Sequence, residues 1–305
     1  MNCVLGYVPY SELDNHHKKL ISFFFIEYIL YPLSMTEKHI VPDYLTKKNA
    51  HPRDEHITFD EGPHIYTVHG KQGYTSVTTF VHHHFPEFDS EGCVQKIISS
   101  KKYREDPTYK YYGRTREDIL EEWKTNGEIA SRVGTKMHYD IECYYNQIPV
   151  TNESIEYSFF QRFVQDYPEL TPYRTEWIVY YEEYKLSGSI DMIFENEDGT
   201  LQIYDWKRCK SIEHEAFGNA CGNLPCISHL PDSNFWHYSL QLNMYRRILQ
   251  DKYGKKVTGL YLMCLHPDNY NKNYQRIEVP FLDDEVSDLL EYWNIGTQVP
   301  IKPPG

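Results

Sequence analysis

Leu186-Ser187-Gly188-Ser189-Ile190-Asp191-Met192-Ile193-Phe194-Glu195-Asn196-Glu197-Asp198-Gly199-Thr200-Leu201-Gln202-Ile203-Tyr204-Asp205-Trp206-Lys207 reads as a β-hairpin. Residues 187–194 alternate, with Ile190, Met192 and Phe194 on one face and Ser189, Asp191 and Ile193 on the other. Glu197-Asp198-Gly199 is the turn, since glycine takes the positive φ that a tight hairpin needs. From Leu201 the same period puts Ile203, Asp205 and Lys207 on one face and Gln202, Tyr204 and Trp206 on the other. Two acids and a lysine at strand ends in an apolar setting need partners, because unpaired buried carboxylates are costly. A hard cation between Asp191 and Asp205, with positions open to water and phosphate, meets that need. Lys207 points into the same space, where it would orient a water or stabilise charge on a phosphoryl oxygen. A surface hairpin carrying an ordinary solvated ion pair fits the same spacing.

The flanking elements follow from periodicity. Thr175 to Tyr180 is a strand bearing Glu176, which on its own reads equally as a strand-edge acid in solvent. Residues 117–146 read as a helix with Ile129, Val133, Met137 and Ile141 as its buried stripe, and His138 beside that stripe. Phe235 to Asp251 is a helix capped by Asn234, with Trp236, Leu240, Met244 and Ile248 buried. Gln241 and Tyr245 lie one turn apart on its adjoining face. Short strands are expected at 57–59, 64–68, 257–265 and 276–279, and helices at 155–163 and 286–293. Ser76 or Thr78 would cap a helix. His82, His83 and His84 point in different directions on a helix, a poor ligand set, and read as surface residues.

Gly188-Ser189-Ile190-Asp191, with Asp205-Trp206-Lys207 fourteen residues on, resembles the core motif of the PD-(D/E)XK nucleases, in the RecB-like and lambda-exonuclease-like branch. Further pieces match in order over roughly 56–295. Tyr74 to Phe80 resembles the "SVT" element, and Gly134-Thr135-Lys136-Met137-His138 with Glu142 resembles the helix that carries a metal-binding histidine. Gln241 and Tyr245 match the Gln-x-x-x-Tyr helix that follows the lysine strand. The resemblance extends to the mitochondrial genome maintenance exonuclease group and related nucleases of large DNA viruses. It implies an α/β fold with a central mixed sheet flanked by helices, the restriction-endonuclease-like core. It implies Mg2+ or Mn2+ held by Asp191, Asp205, His138 and the Trp206 carbonyl, with Lys207 positioning the attacking water. Glu176, Gln241 and Tyr245 would support that water, orient a second metal or shape the site. The expected activity is exonucleolytic cleavage of single-stranded DNA or DNA ends in replication, repair or recombination. An endonuclease of the same superfamily, an inactive DNA-end-binding module and a hydrolase of a small phosphoester are the alternatives.

The 305 residues fit one domain with an appendage: a peripheral extension over 1–50 and the nuclease domain over 51–300. Leu20 to Met35 is apolar but interrupted by Pro32, too short for a membrane span, and residues 47–54 read as linker. The net charge of −13 means that any DNA contact must come from a local basic patch. The best candidate is 96–116, where Lys96, Lys101, Lys102, Arg104, Lys110, Arg114 and Arg116 alternate with tyrosines. Seven cysteines without regular spacing, and no evident signal peptide, point to free thiols in a reducing compartment; the resemblance implies cytoplasm or nucleus, the host-cell cytoplasm for a viral member. The closely spaced cysteine trio that would hold an iron–sulfur cluster is missing, so none is expected.

Overall fold

The computed structural model describes residues 41–298, so Leu20 to Met35 and the tail from Pro300 to Gly305 lie outside the described residues. Eight strands are described: β1 (Ile57–Asp60), β2 (Ile65–Val68), β3 (Thr75–Ser76), β4 (Thr171–Tyr181), β5 (Leu186–Glu195), β6 (Leu201–Lys207), β7 (Val257–Cys264) and β8 (Gln275–Glu278). The helices are α1 (Tyr44–Lys48), α2 (Val77–His82), α3 (Ser90–Ser99), α4 (Lys101–Glu105), α5 (Arg116–Tyr145), α6 (Ile155–Asp166), α7 (Asn234–Tyr253) and α8 (Asp283–Gln298). The fold is α/β, with a mixed central sheet flanked by helices.

β5 organises that sheet. β4 pairs antiparallel along one of its edges from Leu186 to Glu195. The other edge is shared: β3 pairs parallel with Leu186 and Ser187, and β6 pairs antiparallel with Met192 to Glu195. Gly188 to Asp191 therefore face a fork between two strands. β6 continues past the fork in parallel pairing with β7 as far as Lys207 opposite Cys264, and β8 closes that side. The hairpin turn is closed by Asn196 N–H on the Thr200 carbonyl and Gly199 N–H on the Asn196 carbonyl, with Gly199 at φ +77°.

The faces follow the expected alternation. Met192, Phe194, Tyr204 and Trp206 pack with Phe160 and Phe163 of α6 and with Met137 and Ile141 of α5 in one core. Burying such side chains stabilises the layer by roughly 1.5–3 kcal/mol each. α7 packs against β4, β6, β7 and α2, with buried residues most of the way round it.

Contacts divide the chain into two units. One contains Glu87–Val133; the other runs up to Pro86 and resumes at Gly134, and holds the sheet. The first unit has its own small core of Val94, Ile97, Tyr109, Tyr111 and Ile119. Two of the tyrosines read as base-stacking candidates, Tyr109 and Tyr111, are thus buried packing residues. Tyr103 donates its hydroxyl to the Arg114 carbonyl at 2.7 Å. Lys110 and Arg114 both pair with Glu122, and Arg116 pairs with Glu91. Much of the basic stretch is committed to this unit's own ion pairs.

Four local expectations change. The α5 stripe is buried only at Met137 and Ile141; Ile129 is 45% exposed. Periodicity shows that a stripe exists and does not show how far a packing partner runs beside it. α7 begins at Asn234 rather than after it. Ser233 is the cap position, while the Asn234 amide donates to the Ser211 carbonyl and its oxygen accepts from Glu213 N–H. Residues 47–54 are built into the fold: Asp54 accepts from Arg174 and from the Trp177 indole, each at 2.8 Å, and Asn49 donates to the Tyr173 carbonyl. His84 is buried and His82 partly so, leaving only His83 at the surface as expected. His84, two residues past the end of α2, is drawn inward against Phe80 and Trp293.

Among the described residues no helix is long and apolar enough to cross a membrane.

Candidate active site

The fork is where the acids meet. The β5–β6 ladder ends at Met192 opposite Tyr204, one rung short of Asp191 and Asp205. Asp191 replaces the missing ladder bond with its own side chain: its Oδ2 accepts from Trp206 N–H at 2.9 Å. On the opposite edge, Glu176 of β4 has φ +41°, between the paired rungs Thr175–Met192 and Trp177–Ile190. A non-glycine residue in this region is strained, and the strain here sits at a carboxylate. Ser189 fixes that carboxylate by donating its hydroxyl to Oε2 at 2.8 Å.

His138 enters from α5. Its Nε2 lies 2.7 Å from the Trp206 carbonyl. A carbonyl only accepts, so Nε2 carries the proton. Nδ1 then faces Asp191 Oδ2 at 3.5 Å and Glu176 Oε1 at 3.7 Å. One donor atom from each of His138, Glu176 and Asp191 fits within a mutual 4.8 Å, the only such group among the described residues. Asp205 turns instead toward Lys207, whose Nζ is 2.8 Å from its Oδ2. That approach lies outside hydrogen-bond geometry, so Oδ2 is buried without a hydrogen bond. Lys207 Nζ also rests over the Tyr238 ring at 4.4 Å.

The electrostatics show a site crowded with like charge. Burial, and then the neighbouring Asp205, push Asp191 up to about 7, against the pull of His138. Burial opposes charge on His138, but Asp191 and Glu176 outweigh it and hold the imidazole up at about 9. Burial, then Glu176 and Glu61, push Glu142 up to about 8. A divalent cation would relieve this repulsion. The donor set suits one: an imidazole nitrogen whose ring is oriented through its other nitrogen, and two carboxylates, with the Asp205–Lys207 pair nearby.

Of the residues singled out by sequence, the structure brings His138, Glu176 and Asp191 together. Asp205 and Lys207 pair beside them, and the Trp206 carbonyl bonds to His138. Gln241 and Tyr245 are buried on α7. Tyr245 lies against the β5 backbone where a side chain is absent: a Cβ on Gly188 would fall 2.7 Å from its hydroxyl oxygen. Sequence reasoning missed the roles of Ser189 and Tyr238 and passed over His237. The i, i+4, i+8 row His237, Gln241, Tyr245 was the available signal for the last of these.

No family model and no curated protein matches this chain. Among solved structures it is similar to a "putative exonuclease" from Eubacterium rectale, at 12% identity and a TM-score of 0.31. That match covers 70% of this chain and 66% of the other.

Proposed function

We propose that the chain is a metal-dependent nuclease that hydrolyses DNA phosphodiesters, working from free ends and on single strands. One observation carries this reading. At the fork of β5, His138 Nδ1, Glu176 and Asp191 converge within 4.8 Å, with the Asp205–Lys207 pair alongside. Carboxylate-rich donors favour Mg2+ or Mn2+, and the imidazole tilts the choice toward Mn2+. Such an ion, when bound, supplies Lewis-acid stabilisation to a phosphoryl oxygen and makes water a better nucleophile.

The chain's own residues do the rest. Asp191, Glu176 and His138 hold the ion, with the Trp206 carbonyl fixing the imidazole. Asp205 completes the negative side. Lys207 positions the attacking water and offsets charge growing on the phosphoryl group. Gln241 and Tyr245 form the wall on the α7 side.

The test is a time course on end-labelled single- and double-stranded DNA in Mg2+, Mn2+ and chelator. Cleavage that needs the metal is expected; no cleavage in either ion, or normal turnover by Asp205→Asn, would sink the reading. The requirement for an end is tested with one sequence as a linear strand and as a closed circle. The linear strand should be degraded and the circle spared, and equal rates would remove the exonuclease half of the proposal.

A further inference from the structure

The end of β6 carries more positive charge than the proposed hydrolysis uses. Lys207-Arg208-Cys209-Lys210 puts three cations into four residues of a chain whose net charge is −13. Arg208 stands out among them because its position is fixed and its outer edge is open. The backbone is pinned on both sides of it. The Lys207 carbonyl accepts from Leu265 N–H at 2.8 Å, and the Cys209 carbonyl accepts from the Cys264 thiol at 3.0 Å. Its side chain leaves toward α6, where Nε donates to Glu156 Oε1 at 2.6 Å. Glu156 is a buried acid in the first turn of that helix. The carboxylate fixes the guanidinium without using it up. Among the described residues Nη1 and Nη2 have no hydrogen-bond partner, and the side chain keeps 18% of its surface exposed. The neighbouring His266 reports the local field. Burial first, then Arg208, with Lys210 adding to it against Asp268 and Glu156, holds that imidazole down at about 4.

A guanidinium is charged at every working pH and offers five N–H donors in a fixed fork. With Nε anchored on a carboxylate, the Nη edge is preorganised for a bidentate contact to phosphate oxygens. The chain itself sets where that contact falls. Arg208 directly follows Lys207, which the proposed function puts at the scissile phosphate. It lies two residues past the Trp206 carbonyl on which His138 rests at 2.7 Å. The two cations diverge, Lys207 onto Tyr238 of α7 and Arg208 onto Glu156 of α6, so a strand lying across the end of β6 meets one and then the other. We infer that Arg208, held by Glu156, binds the phosphate next to the scissile one on the substrate strand. The inference rests on the nuclease reading for its substrate class. It adds a binding residue, Arg208, and a positioning residue, Glu156, both outside the acid cluster and outside the basic stretch at 96–116.

The experiment measures binding of a fluorescent single-stranded oligonucleotide by anisotropy in Ca2+ over a range of salt, so that turnover is not needed, and kinetics in Mn2+. Arg208→Ala should weaken binding and raise KM about tenfold, the scale of one charge-assisted contact, with the loss in KM rather than in kcat. The slope of log affinity against log salt should become shallower by about 0.7, as for one phosphate contact on a single strand. Arg208→Lys should keep the slope and recover only part of the affinity, because an ammonium cannot make the bidentate contact. Glu156→Gln retains the cation and loosens its anchor, so affinity should fall at an unchanged slope. Arg208→Ala also strips the partner from a buried carboxylate. Arg208→Gln combined with Glu156→Gln, a neutral pair that can still hydrogen-bond, therefore carries the test if thermal melting shows the single variant misfolded. Wild-type affinity and slope in whichever of the two is folded overturn the inference, as does a fall in kcat at constant KM. If that variant also cleaves normally, the nuclease reading stands without the inference. A wild-type protein that binds through Arg208 in Ca2+ but never cleaves would keep the inference and sink the nuclease reading.

Discussion

At the scale of single residues, the candidate site sets three carboxylates, Glu176, Asp191 and Asp205, against His138 and Lys207. Asp191→Asn and Asp205→Asn should each abolish cleavage and weaken Mn2+ binding, measured by calorimetry, because each removes charge from the acid cluster. Lys207→Ala should abolish cleavage yet retain the metal, since its ammonium lies beside Asp205 and donates nothing to an ion. Tight Mn2+ binding by Asp191→Asn would contradict its place in the cluster. Gly188 makes a different point. A methyl group there would lie 2.7–3.1 Å from atoms of the Tyr245 ring and hydroxyl. Gly188→Ala should destabilise the fold by about 1–3 kcal/mol in urea unfolding. With Tyr245→Ala in the same chain, the combined cost should be less than the sum of the two single changes; strict additivity would mean that the two residues do not touch.

At the scale of elements, the segment just before β1 tests what counts as part of the fold. Asp54 is the acceptor for the nearly buried Arg174 and for the indole of the fully buried Trp177. Asp54→Ala leaves both donors short and should lower stability by about 2–4 kcal/mol, read from the urea midpoint at constant slope. A change within a few tenths would return this segment to the status of a linker. Its charge-rich sequence resembles a linker because Arg174, its partner, is remote in the chain. The hairpin was legible because its information is local: period 2, an Asp-Gly turn and aromatic faces. The Ser76 cap was legible for the same reason, and the structure bears it out. The fork was not, since nothing within β5 says that two strands share one edge. Nor was the left-handed Glu176, whose conformation depends on the unpaired rung opposite. His82 and His84 were misread because a histidine run carries no sign of which member a neighbouring helix will cover.

At the scale of the whole molecule, buried neutral histidines set an acid limit. Burial holds His84, and burial followed by the Arg208 charge holds His266, down at about 4 in the folded protein. The unfolded chain takes up protons at about 6.5. Stability from these two groups is therefore complete above that value, falls as pH drops toward 4, and falls no further below it. Each contributes a slope of at most about 1.4 kcal/mol per pH unit. His84→Phe should flatten the decline in melting temperature between pH 7 and pH 4.5, and an unaltered decline would clear His84 of this role. The sheet's connectivity carries a further consequence, for the order of assembly. Glu176, Asp191, Asp205 and Lys207 belong to three strands joined in succession, and strands that are neighbours in sequence meet by short loop closures. His138 bonds to the Trp206 carbonyl from 68 residues away. A refolding chain that closes its nearest contacts first would hold a knot of carboxylates before the imidazole arrives. A cation held by these acids, as the proposed function has it, would then also serve as a counter-ion at the chain's most congested folding step.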